Sequence, residues 1–386
     1  MRFFHLSDLH IGKQLHFYNL KEDQEVILAE VVSYARQLRP DAIVIAGDIY
    51  DKTVPSAEAV TVFDHFLTEL SKLSIPVLAI SGNHDSARRL EFAGEILRNN
   101  QIYLVGTPPQ SEEEWIVKVP FRDCYGEVCF YLLPFLKPGY VKGVFQGEIP
   151  ESYDAAVRKL LERETLSNEA RNVLVAHQFF TGSSEEQPET CDSETFSIGG
   201  IDNVCADAVK AFDYVALGHL HGAQQVGEEK IRYCGTLLKY SVSEEKQKKG
   251  LLMVELKEKG SLPELTVLPL HPLRDVRRLK GTLEKLLEEA QGKVQEDYVS
   301  VTLTDETEPY RPKERLSVYY PHLLEIRIEN SRTKRTLESF EEELKMAGPF
   351  EIFQGFYEEL HGRTLNEKQK QIMEEIFEQA KGDERS

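Results

Sequence analysis

Five apolar runs in this 386-residue chain end on carboxylate, amide or imidazole side chains, types able to ligate metals. "HLSDLH" ends on Asp8 and His10, "DAIVIAGD" on Asp48, "PVLAISGNHD" on Asn83, His84 and Asp85, "NVLVAHQF" on His177, and "DYVALGHLH" on His219 and His221. Alternate residues of a strand project to one side, so Asp-x-His can form a metal site, yet a single one reads first as a satisfied structural pair or a surface loop. Fivefold recurrence changes that weighting. In a mostly parallel sheet the strand C-termini gather at one edge, which is where open α/β sheets bind ligands. The pattern predicts that carboxylates, an amide and imidazoles from five distant segments meet at one place.

The segments between these tips predict the architecture. "RFFHLS", "DAIVIAG" and "PVLAIS" alternate with the amphipathic stretches "KEDQEVILAEVVSYARQL" and "SAEAVTVFDHFLTELSKL". This is a βαβαβ pattern, so a largely parallel sheet with covering helices is expected. The later runs "VCFYLLPFL", "NVLVAHQF", "DYVALGHL", "KIRYCGTLL" and "GLLMVEL" have fewer helices between them and predict a second sheet packed on the first. The fold class expected for residues 1–271 is therefore an α/β, four-layer αββα sandwich. The polar stretch 181–200 reads as a long surface loop.

From Pro272 the pattern becomes that of a smaller α+β unit, 272–330, joined through "LPLHPLRD". "GTLEKLLEEAQ" and "RPKERLSVYY" read as helices, and "YVSVTLT" and "LLEIRIEN" as alternating strands. Residues 331–386 read as a helical tail. Phe350, Phe353, Tyr357 and Leu360 share one face, Gly362 ends that helix, and Asn366 caps another carrying Ile372, Met373, Ile376 and Phe377. Two short helices bury little by themselves, so they are expected to dock on the protein's own body or on a partner.

Composition sets limits. No stretch approaches the roughly 20 apolar residues that span a bilayer, and "MRFF" followed at once by His5, Asp8 and His10 gives no leader pattern, so the mature chain is expected to start at or near Met1. Cys124, Cys129, Cys191, Cys205 and Cys234 are odd in number, with no C-x-x-C pair, which predicts free thiols in a reducing cytosol and argues against a cysteine-ligated zinc. The formal charge of -19 counts against a polyanionic substrate unless basic patches or bound cations offset it locally.

Imidazoles with carboxylates and an amide oxygen, and no thiolate, suit manganese, iron or zinc. There are more ligands than one ion needs, and a carboxylate can bridge two. Paired cations of this kind catalyse phosphoester hydrolysis by activating water and neutralising charge in an in-line transition state.

In order along the chain, "DLH", "GDIYD", "GNHD", "AHQF" and "GHLHG" resemble the five signature motifs of the calcineurin-like metallophosphoesterases. "FFHLSDLHIGK", "GNHDSARRL", "HQFFTG", "FSIGGIDNV", "FDYVALGHLHG" and "LKYSVSEE" extend the likeness, over essentially the whole chain, to the branch of bacterial nuclease subunits related to the archaeal and eukaryotic break-repair nucleases. The resemblance implies that Asp8, His10, Asp48 and His221 bind one ion, and that Asp48, Asn83, His177 and His219 bind the other. It implies two divalent ions, manganese first, with magnesium, iron or zinc as alternatives. His84 matches the family's non-ligand catalytic histidine, placed to stabilise the scissile phosphate and protonate the leaving 3′ oxygen. Asp85 is expected to orient His84 or close the turn, His5 to be a core or supporting histidine, and His16 and His65 to lie on the surface. Asp51 stands where archaeal relatives carry a histidine, so that contact does not transfer. "CGTLLKYS" departs from the usual pattern but keeps Lys239 and Tyr240.

Arg88 and Arg89, with Lys13, Lys142 and Lys239, are candidates for a basic DNA track, and "RDVRRLKG" in the expected cap domain is another phosphate-contact candidate. The family reading implies a double-strand exonuclease and single-strand or hairpin endonuclease in the cytoplasm at the nucleoid. Its tail would dock a coiled-coil ATPase, in an assembly of two nuclease and two ATPase subunits with no membrane partner. Two other classes stay open: a phosphatase or cyclic-nucleotide phosphodiesterase on the same scaffold, and a non-catalytic protein that kept the fold.

Overall fold

The computed structural model describes residues 1–182, 188–194, 202–290, 292–307, 309–333 and 349–383. The polar stretch 181–200 and the tail expected over 331–386 therefore lie partly outside the described residues. The chain divides into two compact units: Met1–Arg278 with Glu296–Ser300, and Leu279–Gln295 with Val301–Ser386.

The first unit begins as the βαβαβ pattern requires. Strands β1 (Arg2–Leu6), β2 (Ala42–Ala46), β3 (Val77–Ile80) and β4 (Ile102–Val105) lie side by side in parallel. Helices α1 (Lys21–Leu38) and α2 (Ala57–Lys72) connect the first three. The Ser56 hydroxyl caps α2 by accepting from Ala59 N, and the apolar stripe of Val62, Phe63, Phe66 and Leu70 is buried. The chain then builds a second sheet from β5 (Val117–Asp123), β6 (Gly126–Leu133), β7 (Arg171–His177), β8 (Tyr214–Gly218), β9 (Gln224–Val226) and β10 (Glu228–Tyr233). Its order is β9-β10-β8-β7-β6-β5, with β6, β7, β8 and β10 parallel. Helix α3 (Tyr153–Glu162) covers its outer face through Ala156, Val157 and Leu160. Finally β11 (Gly250–Glu255) returns antiparallel beside β1, and β12 (Glu264–Pro269) forms the edge.

The two sheets face each other across one apolar core. Phe3, Val44 and Leu78 from the first meet Phe130, Val173 and Tyr214 from the second. The Phe3 ring packs edge-on to Phe130 at 5.2 Å and to Tyr214 at 5.7 Å between centroids. The four layers are those expected. β4, β5, β9 and β12 had no separate place in the sequence pattern.

A third sheet, in the order β13-β14-β15, is built from β13 (Val276–Gly281), β14 (Tyr298–Leu303) and β15 (Leu323–Ile328). The basic run "VRRLKG" is thus a strand, and its charges are committed: Arg277 to Asp297 at 3.1 Å and Lys280 to Glu329 at 2.5 Å, while Arg274 just before it holds Asp23 at 2.9 Å. In the second unit α4 (Leu283–Glu289) buries Leu283 and Leu286, and α5 (Pro312–Ser317) is shorter than the run "RPKERLSVYY" predicted. The described tail is a helical hairpin, α6 (Pro349–His361) and α7 (Glu367–Asp383). Gly362, at φ 63°, ends α6, and Asn366 caps α7 by accepting from Gln369 N at 2.9 Å. Phe350 and Phe353 pack on Phe377, whereas Leu360, Ile372 and Ile376 are exposed, so the expected single face is split in two.

Candidate metal centre

The five tips converge in the first unit because the backbone stays paired beyond the strands. Past the ends of β1 and β2, Asp8 N donates to Gly47 O (2.9 Å), His10 N to Asp48 O (3.0 Å) and Ile11 N to Ile49 O (2.9 Å). This zipper sets Asp8 and His10 beside Asp48. The third tip is tied in by His84 N donating to Asp48 Oδ1 at 2.9 Å, and the fifth by His219 N donating to the Asp8 carboxylate at 3.1 Å. The fourth comes from β7 of the facing sheet: His177 Nδ1 donates to Ala46 O at 2.7 Å.

These turns are sterically demanding. Asp8, His10 and Asp48 adopt left-handed φ values of 51°, 42° and 48°, and His219 lies at 107°. Non-glycine residues are uncommon there, and such conformations concentrate at functional sites. Gly47 sits at φ 89° directly against the His177 ring, where a Cβ would come within 2.2 Å of Nδ1. A Cβ on Gly82 would lie 2.1 Å from the Asp48 carboxylate. Those glycines are what allow the side chains to close up.

Three overlapping groups, Asp8–His10–His221, Asp8–Asp48–His177 and His10–Asp48–His84, each bring a ligand atom from every member within 4.8 Å. His10 Nε2 lies 3.1 Å from His221 Nε2, and Asn83 Oδ1 lies 3.0 Å from both His177 Nε2 and His219 Nδ1. Facing lone pairs at these distances need a proton or a cation between them, so the donor set fits divalent metal ions. Burial pushes His219 down to about 3, aided by the His177 charge, and holds His10 well below its ordinary value, so both are neutral and ready to coordinate. His177 goes the other way. Burial opposes its charged form, but the Asp48 carboxylate overrides this and raises it to about 9. Burial likewise opposes the charged form of Asp48, yet His177 and the neighbouring histidines keep its carboxyl far below the usual range.

The other predicted residues sort as follows. His84 is half-buried, with Nδ1 donating to Asp51 O at 2.9 Å. Asp85 closes the turn, accepting from Gly82 N, Ile49 N and Tyr50 N at 2.9–3.0 Å; burial and the Asp48 charge push it up to about 6. His5 is a buried supporting histidine between the Tyr214 hydroxyl (3.0 Å) and Leu217 O (3.1 Å), driven to about 3 by burial. His16 and His65 are exposed. Asp51 enters the site after all: its carboxylate stands 3.6 Å from His10 Nδ1 and pairs with Lys13 at 2.8 Å.

The basic residues separate. Arg88 lines a groove of about 580 Å³ that opens beside Asn83 and His219, together with Lys137 and Tyr140. Arg89 lines a different cavity, among Phe63, Leu90 and Phe92. Lys142 is exposed on the short helix after Lys137. Lys239 is held by Asp275 at 2.8 Å and by Glu245 O, and Tyr240 packs edge-on to His10 at 5.5 Å. Sequence reasoning missed Lys137 and Tyr140, although "LPFLKPGY" places a cation and an aromatic just past a strand. It also missed Ser193, Glu194 and Glu244, which reach His221 from distant segments.

All five cysteines are free thiols, and among the described residues no helix is long and apolar enough to cross a membrane. The calcineurin-like phosphoesterase family matches residues 1–223, and the type 5 capsule protein repressor C-terminal domain, the SbcD C-terminal family, matches residues 272–361. The chain is 31% identical over 382 residues to the SbcD subunit of the nuclease SbcCD from Staphylococcus epidermidis, covering 98% of each. A dimetal phosphatase structure from Danio rerio aligns at 14% identity with a TM-score of 0.43, over 69% of this chain and 98% of that one.

Proposed function

This chain belongs to the calcineurin-like phosphoesterase family, in its SbcD branch, and we propose that it is the nuclease subunit of an SbcCD-type DNA-repair complex. It is a metal-dependent hydrolase of phosphodiester bonds. Asp8, His10, Asp48 and His221 would hold one divalent ion, and Asp48, Asn83, His177 and His219 the other, with Asp48 common to both sets. Manganese is the ion proposed, on the family resemblance; the donor set of nitrogen and hard oxygen without thiolate admits it alongside iron and zinc. When bound, the ions activate water and offset the charge that builds on the phosphoryl group. The chain's own residues do the rest. His84, its ring fixed through Asp51 O, contacts the scissile phosphate and delivers a proton to the leaving 3′ oxygen. Arg88 and Lys137 hold the strand along the groove. Arg89 and Lys239 were candidates for the same track; their positions favour supporting roles.

The observation that carries this reading is the convergence of five strand tips on one buried cluster of histidines and carboxylates beside a groove that carries cations. The substrates proposed are DNA ends, digested as duplex, and hairpins, opened endonucleolytically. Residues 1–271 form the nuclease domain, 272–330 a DNA-contacting cap, and 331–386 the segment that docks the SbcC ATPase. Two copies of each subunit would work together in the cytoplasm at the nucleoid.

Incubation with Mn²⁺ and a hairpin-ended duplex, beside a small aryl phosphate, tests the activity. The duplex should be cut, and His84→Ala should lower the rate by roughly 10²–10⁴-fold with Mn²⁺ binding retained. Turnover of the aryl ester alone would sink the nuclease assignment. For the tail, truncation after Asn330 should remove SbcC binding and leave cleavage intact; a truncated chain that still co-purifies with SbcC would move the docking site elsewhere.

A further inference from the structure

The segment 188–194 reaches His221 by an unusual route. Ser193 Oγ lies 2.7 Å from His221 Nδ1 and 2.6 Å from Glu244 Oε1. Glu244 is fully buried and surrounded by donors: Lys249 Nζ at 2.6 Å, Ser241 Oγ at 3.0 Å and Tyr240 N at 3.1 Å. An ammonium at that distance keeps Glu244 ionised, and an ionised carboxylate only accepts hydrogen bonds. The Ser193 hydroxyl must therefore give its hydrogen to Glu244. Its oxygen is then left to accept from His221 Nδ1–H, so the His221 lone pair sits on Nε2, the nitrogen that faces His10 Nε2 at 3.1 Å.

The segment is fastened on both sides of this relay. Glu194 accepts from His221 N at 2.5 Å, Asp192 N donates to Ser243 Oγ at 3.0 Å, and Gln224 exchanges two hydrogen bonds with the Glu189 backbone at 2.8 and 2.9 Å. Hydrogen bonds to the far nitrogen of a ligating histidine fix its tautomer and ring orientation, and their loss typically costs 10–100-fold in metal affinity.

We infer that Ser193 and Glu244 are positioning residues for the metal centre, a hydroxyl-to-carboxylate relay that holds His221 in its metal-binding tautomer. The inference rests on the metal-site reading above and assigns the 188–194 segment a part in it. Ser193 is half-buried, and Ser193→Ala deletes only the hydroxyl that forms the relay.

The test measures Mn²⁺ affinity by titration calorimetry and, on metal-free protein, the His221 tautomer from its imidazole ¹⁵N shifts. Ser193→Ala should weaken Mn²⁺ binding by roughly 10–100-fold and remove the preference for the Nδ1–H form. Ser193→Thr, which keeps the hydroxyl, should restore both. Wild-type affinity and tautomer in Ser193→Ala would overturn the relay alone, as would a threonine variant as weak as the alanine one. Wild-type protein that takes up no Mn²⁺ would overturn the metal-site reading, and the relay with it.

Discussion

The two flanks of Asp48 support their histidines by different means. On one, His177 hangs from the main chain: its Nδ1 donates to Ala46 O, and Gly47 is pressed against its ring. On the other, His10 and His221 are backed by side chains, Asp51 at 3.6 Å from one and Ser193 with Glu244 behind the other. A ligand held by backbone geometry is fixed as soon as β2 and β7 are in place. A ligand held by side chains is fixed only when segments far apart in sequence arrive with the right polarity. The first flank should therefore fail through changes in backbone shape, and the second through single polar substitutions that leave the fold alone.

A single methyl group should separate the two flanks most clearly. Gly47→Ala would put a Cβ within 2.2 Å of the His177 ring at a backbone position of φ 89°, so we expect a loss on the order of 3 kcal/mol in urea unfolding. Gly222→Ala, beside His221, would have the Gln247 and Gln224 side-chain ends as its nearest neighbours, at 3.3 Å and beyond, and should cost less than about 1 kcal/mol. Equal losses would mean that both flanks depend on backbone space.

A smaller effect should appear with pH in metal-free protein. His177 is raised from 6.5 to about 9 by Asp48, against the cost of burial, so the folded state holds its proton more tightly than the unfolded chain does. That stabilisation is complete below pH 6.5 and disappears as pH rises through 9. The melting temperature of metal-free protein should fall by about 5 °C across that window, and His177→Asn should flatten the dependence. Mn²⁺ affinity should rise over the same range, because the ion displaces the His177 proton. A melting temperature that stays level from pH 6.5 to 9 in wild type would remove the His177–Asp48 ion pair from the account.

The smallest effect concerns the groove on the His219 side. Arg88→Ala should reduce the slope of log affinity for duplex DNA against log salt by about 0.9, the share of one phosphate contact. Arg89→Ala, whose side chain lines another cavity, should leave the slope unchanged. Identical slopes for both variants would show that the groove does not carry the strand.

What the sequence disclosed follows the same division. Asp8, His10, Asp48, Asn83, His177, His219 and His221 were legible because each ends an apolar run, and period-two strands in a parallel sheet must bring such ends together. The layer order was legible for the same reason. Ser193 and Glu244 were not, being 51 residues apart and off the strand tips, with Ser193 in the stretch that reads as a surface loop. Arg89 and Lys239 were named for a DNA track because charge is visible in a sequence; partners such as Asp275 are not. The run "VRRLKG" likewise shows its charge but not its partners Asp297 and Glu329, and the tail's apolar positions show where helices lie but not which residues another surface covers.

The left-handed backbone at Asp8, His10 and Asp48 carries a meaning beyond the ligands themselves. A protein that needed only the fold would drift toward glycine at such positions, where the conformation costs nothing, or toward turns that relax it. Keeping a carboxylate or an imidazole there means accepting local strain in every folded molecule, with or without a cation. Left-handed torsions also occur at Arg39, Ser74 and Ala93, so it is their coincidence with a converging cluster of carboxylates and imidazoles that can be sought in any relative whose ligand residues have been replaced.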